Sequence, residues 1–212
     1  GVQTCALPIF QWLVNPEWAP ILAGNPNIDE VIEFPRQDFR GLSGWMRLPR
    51  WIRGLRERVK PDLALDFQGL LRSALIARFS TVRGGDRWGT SDSRECAWMF
   101  HRRIASVPPR SFPLHAVRRY LALVEALGCD ISEPLEWRLP AGTQPEGCPD
   151  DFILLHPFSR GAGKSLSASE VTALYQALSP RKIVIAGRSD APFSPPPNAV
   201  NLLNRTTLPE LC

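Results

Sequence analysis

The chain has 212 residues, of which 44% are hydrophobic and 22% charged, with a formal net charge of +4. This balance is typical of a globular protein with a sizeable core, in one large or two small domains. No apolar run reaches the roughly 18 residues that cross a bilayer, and no secretory signal pattern opens the chain, so we expect a cytoplasmic protein. The five cysteines show neither CxxC spacing nor dense pairing, which indicates free thiols rather than a zinc site or disulfides.

Both ends of the sequence look artificial. Residues 1–9, GVQTCALPI, resemble the translation of a sequencing-library adapter, and we interpret them as a non-native segment outside the fold. At the other end, TTLPELC stops where a helix pattern begins, with Thr206 or Thr207 as the N-cap and Glu210 shortly after. We therefore expect the natural protein to continue.

The first half of the chain alternates between strand and helix patterns. Residues 12–14 predict a strand, residues 19–23 a helix and IDEVIEF a second strand. Residues 48–59 place apolar side chains on one helix face with arginines opposite, and Lys60-Pro61 ends this helix. DLALD then predicts a buried strand, followed by a helix over residues 70–79.

The second half repeats this alternation after a break. A helix over residues 115–127 stops at Gly128, and the polar, Pro/Gly-rich residues 139–150 predict a linker. FILLH and KIVIAG then predict buried strands on either side of a helix that opens with the capping box Ser167-x-x-Glu170. The pattern predicts two parallel α/β domains, residues 10–138 and 151–212, of which the second is the start of a truncated domain.

The loop after FILLH carries the residues most suited to binding phosphate. It joins the carboxyl end of a strand to the start of a helix, where α/β sheets bind anions. Its glycines permit close backbone approach, its serine can donate a hydrogen bond, and its arginine and lysine supply positive charge. These candidate residues are Ser159, Arg160, Gly161, Gly163 and Lys164. The alternative is a glycine-rich surface turn with solvated cations.

The same loop also resembles part of a nucleoside triphosphatase (NTPase) motif. Gly163-Lys164-Ser165 matches the tail of the Walker A loop, but the first glycine of that motif falls at Phe158, where a bulky side chain would obstruct the phosphate cradle. A P-loop-like NTPase and a non-catalytic nucleotide-binding module are therefore kept as alternative functions.

Several segments together resemble one enzyme family. HPFSR followed by Lys164 resembles the H-P-x-S-x(4)-K stretch of family-nine glycosyltransferases, the heptosyltransferase family. Other similar segments follow in the family's order: WLVNPEWAPILAGNPNIDEVIEF, LALDFQGLLRSALIA, Arg94-Glu95, HAVRRYLALVEALG and VNLLNRTTLPEL. The resemblance runs from Phe10 to the end of the chain, and its specificity lies in the ordered set.

This resemblance implies a GT-B architecture, with two Rossmann-like parallel-sheet domains that are both incomplete here. It implies inverting transfer of a sugar, heptose above all, from a nucleoside-diphosphate sugar such as ADP-heptose to a lipopolysaccharide or related surface-glycan acceptor. No cofactor or metal is implied, and the loop residues named above would face the donor diphosphate. The family's catalytic base precedes the segment that matches at Phe10, so no catalytic residue is assigned, and we expect this fragment to be inactive.

The acceptor-side candidates are Asp66, Gln68, Arg72 and Arg94, on the domain that holds the acceptor in this family. An equally weighted alternative is that Asp66 caps the following turn and that Gln68 is a solvated side chain. The chain departs from the family pattern at three places. In this chain Arg72 replaces the family's usual lysine, Ser165-Leu166-Ser167 replaces R-W-P, and Asn204 replaces glycine.

The remaining polar residues give weaker signals. The arginine face of helix 48–59 indicates either a solvated surface or docking onto an anionic glycolipid at the cytoplasmic face of the inner membrane. His101 and His115 stand alone, which favours surface or helix-capping roles over metal binding, and His156 is expected to position the phosphate loop. We interpret the seven scattered tryptophans mostly as core residues. We expect no nucleic-acid partner.

Overall fold

A computed structural model of the chain describes residues 9–132, 136–159, 163–190, 193–197 and 199–211. The chain divides into two compact units: a central unit, Arg36–Glu136, and a flanking unit formed by the residues before and after it. The described strands form three sheets, one of two strands and two of three, and all recorded pairings are parallel. The predicted α/β class is thereby confirmed. The domain boundaries at residues 139–150 stay a prediction.

The flanking unit begins with a two-stranded sheet. Strand β1 (Gln11–Val14) pairs in parallel with β2 (Glu30–Glu33). The predicted helix at residues 19–23 is a 3-10 helix over Pro16–Leu22. Pro20, inside this segment, lacks the N–H that a regular α-helix would use, which explains the difference.

The central unit contains a three-stranded sheet with helices around it. In chain order its elements are α1 (Gly41–Val59), β3 (Leu63–Leu65), α2 (Leu71–Ser80), β4 (Asp86–Thr90), β5 (Arg103–Ala105) and α3 (Ala116–Glu125). The sheet has the order β3-β4-β5. Because all three strands are parallel, the loops after β3, β4 and β5 leave the same edge of the sheet.

Helix α1 is longer than its sequence pattern predicted. It starts at Gly41 rather than at residue 48 because Gly44 admits the backbone of Phe39, whose carbonyl carbon lies 2.4 Å from the position that a Cβ would take. Its buried face carries Leu48, Ile52 and Leu55, and its arginines are exposed, as the periodicity predicted. The helix ends at Lys60 in the left-handed conformation, with φ 46°.

The flanking unit continues after the linker with a second three-stranded sheet. Strand β6 (Ile153–Leu155) precedes α4 (Ala168–Leu178), β7 (Ile183–Gly187) and β8 (Val200–Leu203), in the order β6-β7-β8. Side chains of β7 are buried on both of its faces. Ile183 and Ile185 pack with Val171 of α4, and Val184 and Ala186 pack with Leu202 of β8. This two-sided burial explains the continuous apolar run KIVIAG.

The prediction that the tryptophans are mostly core residues was wrong. Five of them are exposed: Trp12, Trp18, Trp45, Trp98 and Trp137. The buried hydrophobic residues are instead aliphatic side chains, alanines and two phenylalanines from the strands, helices and loops, and most of the large indoles lie near the surface. Among the residues that the structure describes, no helix combines the length and the apolar character that a membrane span requires.

Candidate active site

The loop between β6 and α4 is closed by one serine side chain. The Ser159 amide donates to Ser165 Oγ at 2.9 Å, and the Ser165 hydroxyl donates to the Ser159 carbonyl at 2.9 Å. The Leu166 amide also donates to the Pro157 carbonyl at 2.9 Å. These bonds tie residue 159 to residue 165 beyond the carboxyl end of β6. Ser165, which stands where the family has arginine, was not recognised as a structural residue from the sequence.

Three of the five predicted donor-site residues belong to the described part of the chain, and all three are exposed. Gly163 has a φ of +74°, which glycine adopts readily, and a Cβ built on it meets nothing within 4 Å. Lys164 and Ser159 are exposed. Arg160 and Gly161, the other two donor-site candidates, fall outside the described residues. The described part of the loop therefore presents a hydroxyl and an ammonium group to solvent, and their proposed contact with a diphosphate stays a prediction.

The amino end of α4 is occupied by its own capping box, as the sequence predicted. Ser167 Oγ accepts from the Glu170 amide at 3.2 Å, and the Ser167 amide donates to Glu170 Oε2 at 2.7 Å. These hydrogen bonds from the Ser167 backbone and hydroxyl hold the pKa of Glu170 below its ordinary value. A carboxylate already sits at the positive end of the helix. An anion would therefore be bound by the loop rather than by the helix terminus.

Phe158 distinguishes this loop from a Walker A loop. Its ring packs on that of Phe193 with centroids 5.2 Å apart, beside the cluster of Val171, Ile183 and Ile185. A P-loop lysine lies at the start of its helix, whereas Lys164 precedes the first residue of α4, Ala168. Phe158 is thus a partly buried residue packed against the core, and the place of Lys164 before α4 differs from that of a P-loop lysine.

In the central unit, Asp66 organises the loop that follows β3. Its Oδ1 accepts the amides of Gln68 and Gly69, both at 3.0 Å, and its Oδ2 accepts the Ser73 hydroxyl at 3.0 Å. Asp66 is only 4% exposed. These contacts match the turn-capping alternative, and an acceptor-binding role for Asp66 stays a prediction.

His101 completes this arrangement. The prediction of a surface position for it was wrong, whereas the helix-capping alternative holds for its backbone, whose amide donates to the Trp98 carbonyl at the end of the 3-10 helix Ala97–Phe100. His101 Nε2 lies 3.1 Å from Asp66 Oδ2, and both side chains are almost fully buried. A Cβ on Gly89 of β4 would lie 2.1 Å from the imidazole ring, so glycine is required there. Since His101 and Asp66 are 35 residues apart, no local pattern could have revealed the pair. His115, by contrast, caps α3 by accepting the Val117 amide, as predicted.

The Arg94-Glu95 pair joins the same region through the Arg94 backbone and the Glu95 side chain. The Arg94 amide donates to the Gly69 carbonyl at 2.8 Å, and Glu95 Oε2 accepts the amide of Leu71 at the start of α2 at 3.1 Å. The loop after β3 and the loop after β4 are therefore bound to each other. The Arg94 side chain itself is exposed.

The other two acceptor-side candidates differ in their surroundings. Gln68 is exposed. Arg72 is half-buried, donates to the Phe39 carbonyl at 3.4 Å and stacks over the Trp45 ring at 5.4 Å. Burial and, after it, the charge of Arg36 lower the pKa of Arg72. The structure thus brings Asp66, Gln68, Arg72 and the Arg94 backbone to one edge of the central sheet. Contact of their side chains with an acceptor remains to be tested.

Parallel sheets with a glycine-containing loop from strand to helix define the Rossmann-like class of α/β proteins, in which such loops bind nucleotides. The family model Glycosyltransferase family 9 (heptosyltransferase) matches residues 49–186. This match covers more than half of the chain, and the chain belongs to that family. A comparison with curated protein sequences gives no match.

Solved structures support the same fold. The glycosyl transferase family 9 protein from Veillonella parvula is 16% identical, with a TM-score of 0.68 over 96% of this chain and 63% of its own. The E. coli heptosyltransferase WaaC with ADP-2-deoxy-2-fluoro heptose is 20% identical, with a TM-score of 0.61 over 86% of this chain and 60% of its own. WaaC with ADP gives 20% identity and a TM-score of 0.58 over 85% and 57%. The predicted GT-B type of fold is confirmed, and the chain spans about three fifths of these proteins.

Groups of three or more His, Cys, Asp or Glu side chains that could hold a metal ion do not occur among the described residues. The described cysteines, Cys96, Cys129 and Cys148, are free thiols.

Proposed function

We propose that the whole protein is an inverting glycosyltransferase that moves a sugar, heptose above all, from a nucleoside-diphosphate sugar to a lipopolysaccharide or related surface-glycan acceptor. The observation that carries this proposal is the loop after β6, which Ser165 closes and which leaves Gly163 and Lys164 open to solvent. Family membership supports the reaction class. The E. coli structures with ADP and with ADP-2-deoxy-2-fluoro heptose support a nucleotide-sugar donor.

The chemistry follows from charge. When the glycosidic bond breaks, negative charge builds on the leaving nucleoside diphosphate, and a cation placed beside it lowers the barrier. Lys164 and Arg160 would supply that charge, Ser159 a hydroxyl donor, and Gly161 and Gly163 a close backbone approach. No metal is required in this proposal, because the protein's own cations neutralise the diphosphate.

The acceptor would be an anionic glycolipid at the cytoplasmic face of the inner membrane. Helix α1 supports this part of the proposal. Leu42 and Met46, one turn apart, are 87% and 81% exposed, and Trp45 lies between them. Exposed arginines follow along the same helix: Arg47, Arg50, Arg53, Arg56 and Arg58. Exposed apolar side chains next to basic ones are characteristic of helices that lie on anionic membrane surfaces.

The test is a transfer assay with the protein translated from its complete reading frame, ADP-heptose and a heptose-free acceptor in anionic vesicles. We expect inverting transfer that persists in a metal chelator. Lys164→Ala should lower kcat/KM about 30-fold, the equivalent of about 2 kcal/mol for one charge-assisted contact. The matched control is Lys182→Ala, which removes an exposed lysine just before β7.

Two results would overturn the proposal. Equal activity losses for Lys164→Ala and Lys182→Ala would remove the loop from the donor site. Magnesium-dependent ATP hydrolysis without sugar transfer would favour the NTPase alternative.

A further inference from the structure

The central unit contains an open cavity with a strongly positive lining. Its volume is about 480 Å³. We call it the arginine cavity, because five arginines line it together with four uncharged residues: Arg56, Arg78, Arg83, Arg87 and Arg102, with Thr81, Val82, Gly84 and Gly85. All nine lining residues belong to the described part of the chain, and none of them is acidic.

The arginine cavity lies at the opposite edge of the sheet from the predicted acceptor-side residues. Gly84 and Gly85 immediately precede β4, and Arg102 immediately precedes β5. Because the strands are parallel, these positions mark the amino edge of the sheet. The loop that Asp66 organises leaves the carboxyl edge. The proposed transfer reaction at the carboxyl edge therefore makes no use of this cavity, although one of its arginines, Arg56, also belongs to the basic side of α1 that we propose faces the membrane.

Two of the guanidinium groups are fixed by backbone oxygens. Arg87 Nε donates to the Phe100 carbonyl at 3.3 Å, and Arg102 Nη1 donates to the Gly84 carbonyl at 2.9 Å. Arg102 also forms an ion pair with Asp86 at 3.4 Å. These side chains are held at the cavity before any ligand arrives, which lowers the entropy cost of binding one.

The attraction of cations to the carboxyl ends of helices explains the position of only two of the five arginines. Arg56 and Arg78 lie in the last turns of α1 and α2, where the negative end of a helix attracts cations. Arg83, Arg87 and Arg102 belong to no helix. Burial lowers the pKa of Arg87, and the nearby charges of Arg78 and Arg102 lower it further. The positive charges therefore repel one another, and an anion between them would relieve this repulsion.

We propose that the arginine cavity binds a phosphate-bearing anion. Arginine recognises phosphate through its planar fork of N–H donors, and several guanidinium groups around one cavity favour a ligand with more than one negative charge. The phosphate would belong either to a soluble polyphosphate or to a lipid headgroup. Both sources offer the same chemistry, and the experiment below distinguishes them.

The experiment compares three versions of the full chain. The test variant is Arg78→Gln with Arg83→Gln, which keeps the two arginines that bind backbone carbonyls. The control variant is Arg181→Gln with Lys182→Gln, which removes the same charge from two exposed residues before β7. Calorimetry measures binding of inorganic tripolyphosphate with and without saturating ADP. Sedimentation measures binding to phosphatidylcholine vesicles with and without phosphatidic acid.

We expect the test variant to bind the phosphate ligand at least about tenfold more weakly than the wild type, and the control within about twofold. A loss with tripolyphosphate alone identifies a soluble ligand, and a loss with phosphatidic acid vesicles identifies a headgroup. Equal losses in both variants would show that only net charge matters and would overturn the proposal. So would a wild type that binds neither probe, or tripolyphosphate binding that ADP abolishes. None of these outcomes depends on sugar transfer.

Discussion

The loop after β3 and the loop after β6 occupy equivalent places, each between a parallel strand and the following helix, yet they are built in opposite ways. Asp66 is buried and its carboxyl oxygens meet two amides, a hydroxyl and the ring of His101. In the loop after β6, the Ser165 hydroxyl bonds the backbone of Ser159, and Lys164 stays exposed. The carboxylate of the first loop therefore stabilises the loop itself, whereas the ammonium group of the second faces solvent.

The strongest test of this contrast is removal of the Asp66 carboxyl. Asp66→Ala should lower the free energy of unfolding of the central unit by on the order of 3 kcal/mol, because it leaves the amides of Gln68 and Gly69 without their acceptor and removes the buried partner of His101. Lys164→Ala, on the open loop, should change it by less than about 0.5 kcal/mol. Urea denaturation of the full chain measures both. Similar values for the two variants would contradict the difference described above.

A smaller effect is expected from the serine that closes the second loop. Ser165→Ala removes one acceptor and one donor, so the loop should lose about 1 kcal/mol of local stability. Exchange of the Ser159 amide with solvent deuterium should become about fivefold faster. Ser106→Ala, at an exposed serine of the central unit, serves as the control. An unchanged exchange rate in Ser165→Ala would mean that the closure does not persist in solution.

The smallest effect concerns the cap of α4. Hydrogen bonds from Ser167 depress the pKa of Glu170 in the folded chain. The contribution of the Glu170 carboxylate to folding stability is therefore present above the ordinary glutamate pKa and is lost as pH falls through the lower folded value. Glu170→Gln should remove this pH dependence, and Glu57→Gln on α1 should preserve it. An NMR titration of the Glu170 carboxyl carbon provides the measurement. A midpoint like that of an unstructured peptide would contradict the cap.

Local patterns allowed much of this fold to be predicted. The Ser167 and Glu170 capping box, the stop at Lys60 and the buried run of β7 depend on residues close in sequence, and the structure confirms all three. The place of the loop after β6 also followed from a strand, a loop and a helix in succession. That Ser165 closes the loop did not follow, since any of its polar residues could have formed that bond.

Features that depend on distant residues were missed. Strands β4 and β5 contain Asp86, Arg87 and Arg103, and such short charged segments give no alternating pattern. Their arginines are accommodated because Arg103 stacks over the Trp88 ring at 5.5 Å and pairs with Asp86 at 3.3 Å. The contact between Asp66 and His101 likewise depends on the pairing of β3, β4 and β5, which local sequence patterns do not show.

The contact between Gly89 and His101 links two positions in sequence variation. The imidazole occupies the space of any Cβ at position 89, so every other amino acid there is incompatible with histidine at position 101 in this conformation. Conversely, a small residue at 101 would open room beside β4 and would relax the demand for glycine. Functional relatives should therefore change these two positions jointly, and a library that varies only one of them would underestimate how much sequence this part of the sheet tolerates.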